Sequence, residues 1–382
     1  MIAQRMIVGG GSKWESWQFT VNTAATASGE KKTGIPFNLY GQNGAVLNVD
    51  WGDGTTSRLT VADYASQGDS SASVHEYETA GIYIVLVESK SWEKISILSC
   101  TQSSQITTPT SANVSLYWWR RTLTSIDSPV PSMAGRNNYA NLSSTTWTHS
   151  SNESILGSLF HFCEKISSLC AGVFDKLSYS TIANYTFRSC KSLTSLPVGV
   201  FDECINVTSF QGCFRDCIAL TISSGLFDKN INAQDFSNCF YGCTALLEIP
   251  SGLFSKCTLA TTFNYCFYKC SKLTELPEGL FDNNIVATNF SQCFSSCSRL
   301  TSVPSNLFVH NTAATGFSNT FNSCSALTDF SLHIGSSNVT TASDFVTAKS
   351  GANRIVYVPS GSTTQTTFNG VASTLGLTII GE

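Results

Sequence analysis

The sequence predicts a multidomain protein: an all-β sandwich followed by an α/β solenoid of about seven 27-residue repeats with caps. Three observations predict it. A unit of Phe, Cys and Leu recurs at nearly constant spacing, and short runs of alternating apolar and polar residues precede residue 100. The chain, at 382 residues, is also longer than a domain with one hydrophobic core usually is. The expected divisions are an arm (1–15), a β-sandwich (16–100), a linker with a degenerate cap repeat (101–154), the solenoid (155–334) and a C-terminal cap (335–382).

Each repeat is anchored on a cysteine that follows a phenylalanine by three residues and precedes an aliphatic residue by three. Successive anchors are 27, 27, 26, 27, 27 and 27 residues apart. The anchors are Cys163, Cys190, Cys217, Cys243, Cys270, Cys297 and Cys324. One unit cannot bury its own apolar side chains, so we expect the units to stack and each residue type to form a ladder.

Two short elements are predicted inside each unit. Apolar residues at i, i+3, i+4 and i+7 over Phe263–Cys270 predict two helical turns. The stretch Cys270–Pro277 predicts a very short strand, ended by a proline that cannot donate to a ladder. In the caps, 123–126 matches the repeat strand, and 354–359, 364–375 and 377–380 predict a strand, a helix and a strand.

The repeat pattern F-x-x-C-F-x-x-C-x-x-L-T-x-L-P-x-G-L-F resembles BspA-like leucine-rich repeats, which occur in surface proteins of gut and oral bacteria, protists and their phages. The resemblance covers about residues 155–334 and implies a leucine-rich-repeat solenoid. The unit departs from the commonest form in its greater length and its extra upstream cysteine. What the family does comes to this chain by analogy only.

The N-terminal region alternates apolar and polar residues in short runs, as at 17–21 and 81–87, which predicts strands of a sandwich. The stretches Val49–Thr55 and His75–Tyr83 resemble the W-G-D-G-T and H-x-Y-x-x-x-G-x-Y landmarks of PKD domains, an immunoglobulin-like family. The resemblance implies a spacer or a weak interaction module.

Asp50 and Asp53 in this region have two interpretations. Their carboxylates are of the type that holds a cation. Alternatively, Asp53-Gly54 forms a tight turn in which the glycine supplies a positive φ. The turn is the favoured interpretation.

The cysteine pairs of the C-F-x-x-C segments raise the hypothesis of a zinc site, since thiolates are zinc ligands. The upstream position is also filled by Leu159, Thr186 and Thr320, which a metal site would not tolerate. We therefore expect small, reduced core thiols and no metal. Scattered histidines and the absence of a nucleophile motif predict no catalytic residues, no cofactor and no enzyme.

The most promising surface is the outward strand position beside each Leu-Thr-x-Leu segment. A hydroxyl-rich surface with few charges suits a glycan or a polar protein partner, although regular threonine also follows from β-propensity alone. The candidate binding residues are Thr194, Thr221, Glu248, Thr274, Glu275, Thr301, Ser302 and Thr328.

These features predict a non-enzymatic bacteriophage virion protein, a head- or tail-associated fibre or adhesin for host attachment. The expected partners are other virion proteins, through the arm and the PKD-like module, and a host-surface glycan or protein. The net charge of −4 and the lack of a long apolar run give no reason to expect nucleic acid or a membrane span. A second copy of the chain, in a homo-oligomer, is a further partner that these features are compatible with.

The absence of an apolar stretch of signal-peptide length near the N-terminus favours assembly in the host cytoplasm. The alternative is a bacterial cell-surface adhesin whose export signal was trimmed. A third hypothesis is a carbohydrate-active enzyme in which PKD and repeat modules accompany a catalytic domain. It is disfavoured, because the modules described above leave no stretch of the chain for a catalytic domain.

Overall fold

The computed structural model describes residues 15–25, 31–34, 37–38, 40–41, 46–60, 62–63, 74–90, 96–99, 123–130, 136–138, 156–347 and 353–382. The predicted arm, apart from Glu15, and most of the predicted linker lie outside these residues.

A six-stranded sheet begins in the N-terminal region. Its first four strands are β1 (Glu15–Asn22), β5 (Val46–Asp50), β6 (Thr56–Thr60) and β9 (Ile82–Ser89), which pair antiparallel in the order β1-β9-β5-β6. Alternate residues of β1 are buried, namely Trp17, Phe19 and Val21, as the sequence alternation predicts.

The same sheet continues into the repeats. Strand β11 (Leu123–Ile126), the predicted degenerate repeat, pairs antiparallel with β1 on one side. On the other side it pairs parallel with β13 (Ser168–Leu169) of the first repeat. The N-terminal strands and the repeats are therefore joined by continuous backbone hydrogen bonds.

The remaining N-terminal elements are short. They are η1 (Thr23–Ala25), β2 (Lys32–Gly34), β3 (Phe37–Asn38), β4 (Tyr40–Gly41), β7 (Ala62–Asp63), β8 (Val74–Glu76), β10 (Ser96–Ser99) and β12 (Arg136–Asn138). They form one three-stranded sheet in the order β12-β10-β3 and two strand pairs, β2-β8 and β4-β7.

In the repeats, successive units lie side by side and are linked by parallel bridges. The bridges run from Ile182 through Ser209, Asp235, Thr262, Asn289 and Gly316 to Thr341. Each of these bridge residues immediately precedes a residue that faces inward, and that inward-facing residue is phenylalanine in most units. The predicted strand position, Leu-Thr-x-Leu, carries no assigned strand between residues 193 and 304. Single backbone bonds do join units at this position, as from Thr221 N–H to the Thr194 carbonyl at 2.9 Å. The predicted strand is nevertheless not assigned, including at residues 220–222, where no proline is present.

The core of the repeat row consists of stacked aromatic columns. In one column, the rings of Phe187, Phe214, Phe240, Phe267, Phe294 and Phe321 lie 5.4 to 5.6 Å apart. Neighbouring planes in that column differ by no more than 7°. A second column joins Phe210 to Phe317 at 5.5 to 5.7 Å. All these rings are fully buried, and each is covered by the next unit.

The predicted helical turns are not helices. In the unit at 263–270, Cys266 N–H donates to the Phe263 carbonyl at 3.0 Å and Cys270 N–H to the Phe267 carbonyl at 3.2 Å, which closes two consecutive turns. A left-handed residue stands in each turn, with φ of 57° at Tyr265 and 61° at Lys269. A chain of four-residue turns gives the same apolar spacing as a helix, so the periodicity alone could not separate the two.

The left-handed residues direct backbone groups to the neighbouring unit. The N–H groups of Phe263 and Phe267 donate to the carbonyls of Asn289 and Cys293 at 2.9 and 2.8 Å. The backbone of the turns therefore forms a second ladder between units.

The C-terminal end adds three parallel strands, β14 (Phe330–His333), β15 (Arg354–Val358) and β16 (Thr378–Gly381). The helix Thr363–Leu375 precedes β16, is capped by the Ser362 hydroxyl and ends at left-handed Gly376. The predicted strand, helix and strand of this region are confirmed. Phe368 of the helix is buried against Phe345, with ring centres 5.2 Å apart. No helix in the described part of the chain is long and apolar enough to cross a membrane.

Candidate functional site

The predicted binding residues lie on one side of the repeat row. Seven of the eight are exposed, and Thr328 is half-buried. Leu247, in the equivalent column, is also exposed, by 58% of its surface. The residues therefore form a threonine column interrupted by Leu247 and a second, adjacent column of mixed character. The second column consists of Ser195, Ile222, Glu248, Glu275, Ser302 and Asp329.

Part of this threonine column has a structural role. The Thr221 hydroxyl and backbone N–H both donate to the Thr194 carbonyl at 2.9 Å. Thr301 makes the same two bonds to Thr274, at 3.1 and 2.9 Å. These hydroxyls tie one unit to the next and keep only acceptor capacity for a ligand.

A second hydroxyl column runs beside the parallel bridges and was not selected from the sequence. The hydroxyls of Thr208, Thr261, Thr288, Thr315 and Thr340 donate to the equivalent carbonyl of the preceding unit at 3.1 to 3.3 Å. The recurrence of threonine at this position in most units was the available signal.

The cysteines of the anchor column bond to backbone. The Cys217 and Cys243 thiols donate to the carbonyls of Phe187 and Phe214 in the preceding unit, at 2.9 and 3.2 Å. Burial, followed by the neighbouring thiols, raises the pKa of Cys243 well above its ordinary value. A thiol in this environment stays neutral, whereas a zinc ligand is a thiolate.

The upstream column shows why threonine can replace cysteine. The Thr186 and Thr320 hydroxyls donate to the carbonyls of Leu156 and Phe290, at 2.8 and 3.3 Å. A small side chain with one donor fits each of these positions. Among the described residues, no group of three or more His, Cys, Asp or Glu side chains is placed to hold a metal ion.

A buried asparagine column was missed by the sequence reasoning. The Asn284 amide donates to the carbonyls of Phe254 and Cys257 at 3.2 and 2.8 Å. The equivalent residues in other units are Cys204, Asn230, Cys257 and Asn311. Cys204 and Cys257, which matched no cysteine pattern in the sequence, therefore belong to this ladder.

In the W-G-D-G-T stretch, both carboxylate oxygens of Asp53 already have protein partners. One carboxylate oxygen accepts from Thr55 N–H and hydroxyl at 3.0 and 2.6 Å, and the other lies 2.7 Å from His75 Nε2. Burial alone would raise the pKa of Asp53, but the hydrogen bonds from Thr55 and His75 outweigh it and lower the pKa to about 2.

The His75 ring in turn stacks on Trp51, with ring centres 4.9 Å apart and planes 11° apart. Asp53 thus fixes the turn and the histidine, and Gly52 and Gly54 have the positive φ that the turn interpretation requires.

Comparison with protein-family models finds no match for this chain, and no curated protein is significantly similar to it in sequence. The resemblance to BspA-like repeats and to PKD domains therefore rests on the motifs alone and stays a prediction.

Proposed function

We propose that this chain is a non-enzymatic display protein of a bacteriophage virion, a head- or tail-associated fibre or adhesin. On this proposal the units form a leucine-rich-repeat solenoid that binds host-surface or mucosal glycans or proteins. The N-terminal arm and the PKD-like module attach the chain to other virion proteins.

One observation carries the proposal. The Phe, Leu and Cys columns are buried between units, and the residues left outside include repeated rows of hydroxyls, carboxylates and amides, together with exposed aliphatic residues such as Ile205, Ile231 and Ile285. A stack of units presents such rows as one extended surface, which repeat proteins commonly use for recognition.

The cysteine chemistry supports assembly in a reducing cytoplasm. The fourteen cysteines that the structure describes are free thiols, and thirteen of them are buried. Virion proteins are assembled inside the host cell before release, where thiols stay reduced. The alternative remains a bacterial cell-surface adhesin with an export signal on a longer precursor.

The two are separated by locating the chain. Antibodies against the purified chain should label intact phage particles in immuno-electron microscopy, and capsid or tail genes should flank its gene. Labelling of the bacterial envelope without particles, together with a longer signal-bearing reading frame, would favour the adhesin.

Recognition is tested separately with the purified chain on mucin and on intact gut bacteria. We expect saturable binding to at least one of these surfaces. No binding to either would contradict the display function, and turnover of a bound glycan would contradict the non-enzymatic proposal.

A further inference from the structure

A second surface of the repeat row combines aromatic rings with cations. It is formed by the turns that hold the left-handed residues, on a different part of each unit from the Leu-Thr-x-Leu column. The residues are partly exposed, and Lys269 is the most accessible of them, being exposed. We call this surface the aromatic–cation strip and define it as Phe162, Tyr185, Arg188, Arg215, Tyr241, Tyr265, Tyr268 and Lys269.

The rings and cations of the strip contact one another across units. The Arg215 guanidinium lies 4.1 Å from the centre of the Tyr241 ring, and the Lys269 ammonium lies 5.4 Å from that of Tyr268. The rings of Tyr241 and Tyr268 stack with centres 4.7 Å apart and planes 23° apart. Adjacent units thus offer a row of rings with a cation at each end.

The positive charge of the strip is only partly compensated. Among the strip residues and their turns, Asp216 is the carboxylate nearest Arg215, 3.6 Å from its Nε. Arg188 Nε has no hydrogen-bond partner within the described chain. The Arg188 guanidinium lies 5.7 and 5.6 Å from the centres of the Phe162 and Tyr185 rings. Its pKa is lowered by burial and then by the charge of Arg215, while Asp216 acts in the opposite direction. Arginines on aromatic rings with one carboxylate beside them favour an anionic ligand.

Glycines make room for the strip. A Cβ at Gly212 would lie 2.4 Å from the Tyr185 ring, and a Cβ at Gly242 would lie 2.6 Å from the Asp216 carboxylate. Both glycines occupy left-handed positions that other units fill with larger residues. The units follow one another at 5.4 Å in the ring column beside the strip, which is close to the length of one sugar residue in an extended glycan.

We infer that the aromatic–cation strip binds an acidic glycan, with the acidic group at Arg188 and Arg215 and the sugars against the exposed edges of the Tyr241 and Tyr268 rings, which already stack on each other. The inference rests on the proposed function and moves the main contact from the threonine column to the turns. Tyrosine and arginine contribute large contact area and bidentate hydrogen bonds at low entropic cost, whereas threonines already bonded between units contribute little.

The test uses the full chain on an array of uronate, sialylated and sulfated glycans, each paired with the same glycan lacking its acidic group. We expect binding to at least one acidic member, about tenfold weaker to its neutral pair, and weakening with added salt. Arg215→Gln and Tyr268→Ala should each reduce that affinity about tenfold. Tyr268→Phe keeps the ring and should retain binding.

Lys256→Gln, at an exposed lysine outside the strip, is the matched control for loss of a positive charge and should leave the affinity unchanged. Unchanged thermal midpoints show that the variants fold. If glycans bind but only substitutions of Thr274 or Glu275 lower the affinity for them, the inference fails while the proposed function stands. The inference is overturned if the chain binds the neutral glycans more tightly than their acidic pairs. It is also overturned if the chain binds single-stranded DNA, added as a polyanion competitor, more tightly than the acidic glycans. The absence of any glycan, mucin or cell binding overturns both.

Discussion

The Asn284 side-chain amide donates to the carbonyl of Cys257 at 2.8 Å, and thereby satisfies a backbone acceptor of the preceding unit deep inside the repeat row. The same amide donates to Phe254, so one side chain bridges two carbonyls. In the unit before, Cys257 itself takes this place, with its thiol 3.8 and 3.7 Å from the equivalent carbonyls. The column therefore selects a small buried donor, which is a constraint that the stacking imposes.

Asn284→Ala should destabilise the repeat row by about 2 to 4 kcal/mol, because two buried carbonyls lose their donor. Asn284→Cys should lower the stability by less than Asn284→Ala does, since a cysteine, Cys257, occupies the equivalent position in the preceding unit. Asn283→Ala, at the exposed neighbouring residue, is the control and should stay within about 0.5 kcal/mol. The midpoint of urea unfolding measures all three, and equal shifts for Asn284→Ala and Asn283→Ala would refute the role of the amide.

The left-handed residues give a second prediction. Ser296 has a φ of 63° and occupies the column that Gly242 fills in another unit. Ser296→Gly should raise stability by about 0.5 to 1 kcal/mol, because the left-handed backbone costs a non-glycine residue more than glycine loses in entropy. Ser296→Ala serves as the control and should give no gain.

The reverse change, Gly242→Ala, should lower stability by more than about 1 kcal/mol, as its φ is 72° and its Cβ would meet Asp216. Thermal midpoints of the three variants provide the measurement. A destabilised Ser296→Gly would show that this backbone conformation carries no strain.

The buried thiols predict a loss of stability in alkali. Burial raises the pKa of Cys257 to about 12 and that of Cys170 to about 11, from an ordinary value near 9. A folded-state pKa above the unfolded value contributes stability that is complete below pH 9 and is lost as the pH rises further. Between pH 9 and 10 each such thiol should subtract up to about 1.4 kcal/mol per pH unit.

The measurement is the urea midpoint from pH 7 to 10, with a flat region below pH 9 and a steep fall above it. A Cys239→Thr, Cys266→Thr variant should fall less steeply, because threonine does not titrate and already occupies this column at Thr186 and Thr320. An equal slope in the variant would contradict the assignment to thiols.

The Asp53–His75 pair predicts acid sensitivity of the N-terminal region. The pKa of Asp53 is lowered to about 2, so its contribution is present above pH 4 and is lost as the pH falls from 4 towards 2. Asp53→Asn should lower stability by about 0.5 to 1 kcal/mol at neutral pH, because the residue is exposed to solvent, and reduce the loss below pH 4. Asp50→Asn is the control, and it should change stability less than Asp53→Asn does. The Asp50 carboxylate lies at the exposed edge of the same turn, where it accepts from Gly52 N–H.

Added calcium provides an independent check on this turn. It should leave the melting temperature of the wild-type chain unchanged, since the Asp53 oxygens are taken by Thr55 and His75. A calcium-dependent rise that Asp53→Asn removes would restore the cation interpretation.

The sequence by itself determined the unit length, the residues that face inward and the order of strands and helix at the C-terminal end. A spacing of 27 residues and a recurring Phe, Cys and Leu are properties of the chain that need no coordinates, because units of equal length place equivalent residues in register. The alternation at Trp17, Phe19 and Val21 likewise predicts which side of β1 is buried.

Only the tertiary structure decided how the turns are built and which surfaces they form. An apolar spacing of three and four residues is common to a helix and to consecutive turns, and the choice depends on the backbone bonds that Phe263 and Phe267 make with the next unit. Arg215 and Tyr241 are 26 residues apart in sequence and meet only because the units stack. Contacts between units follow from the stacking geometry, which local periodicity does not contain.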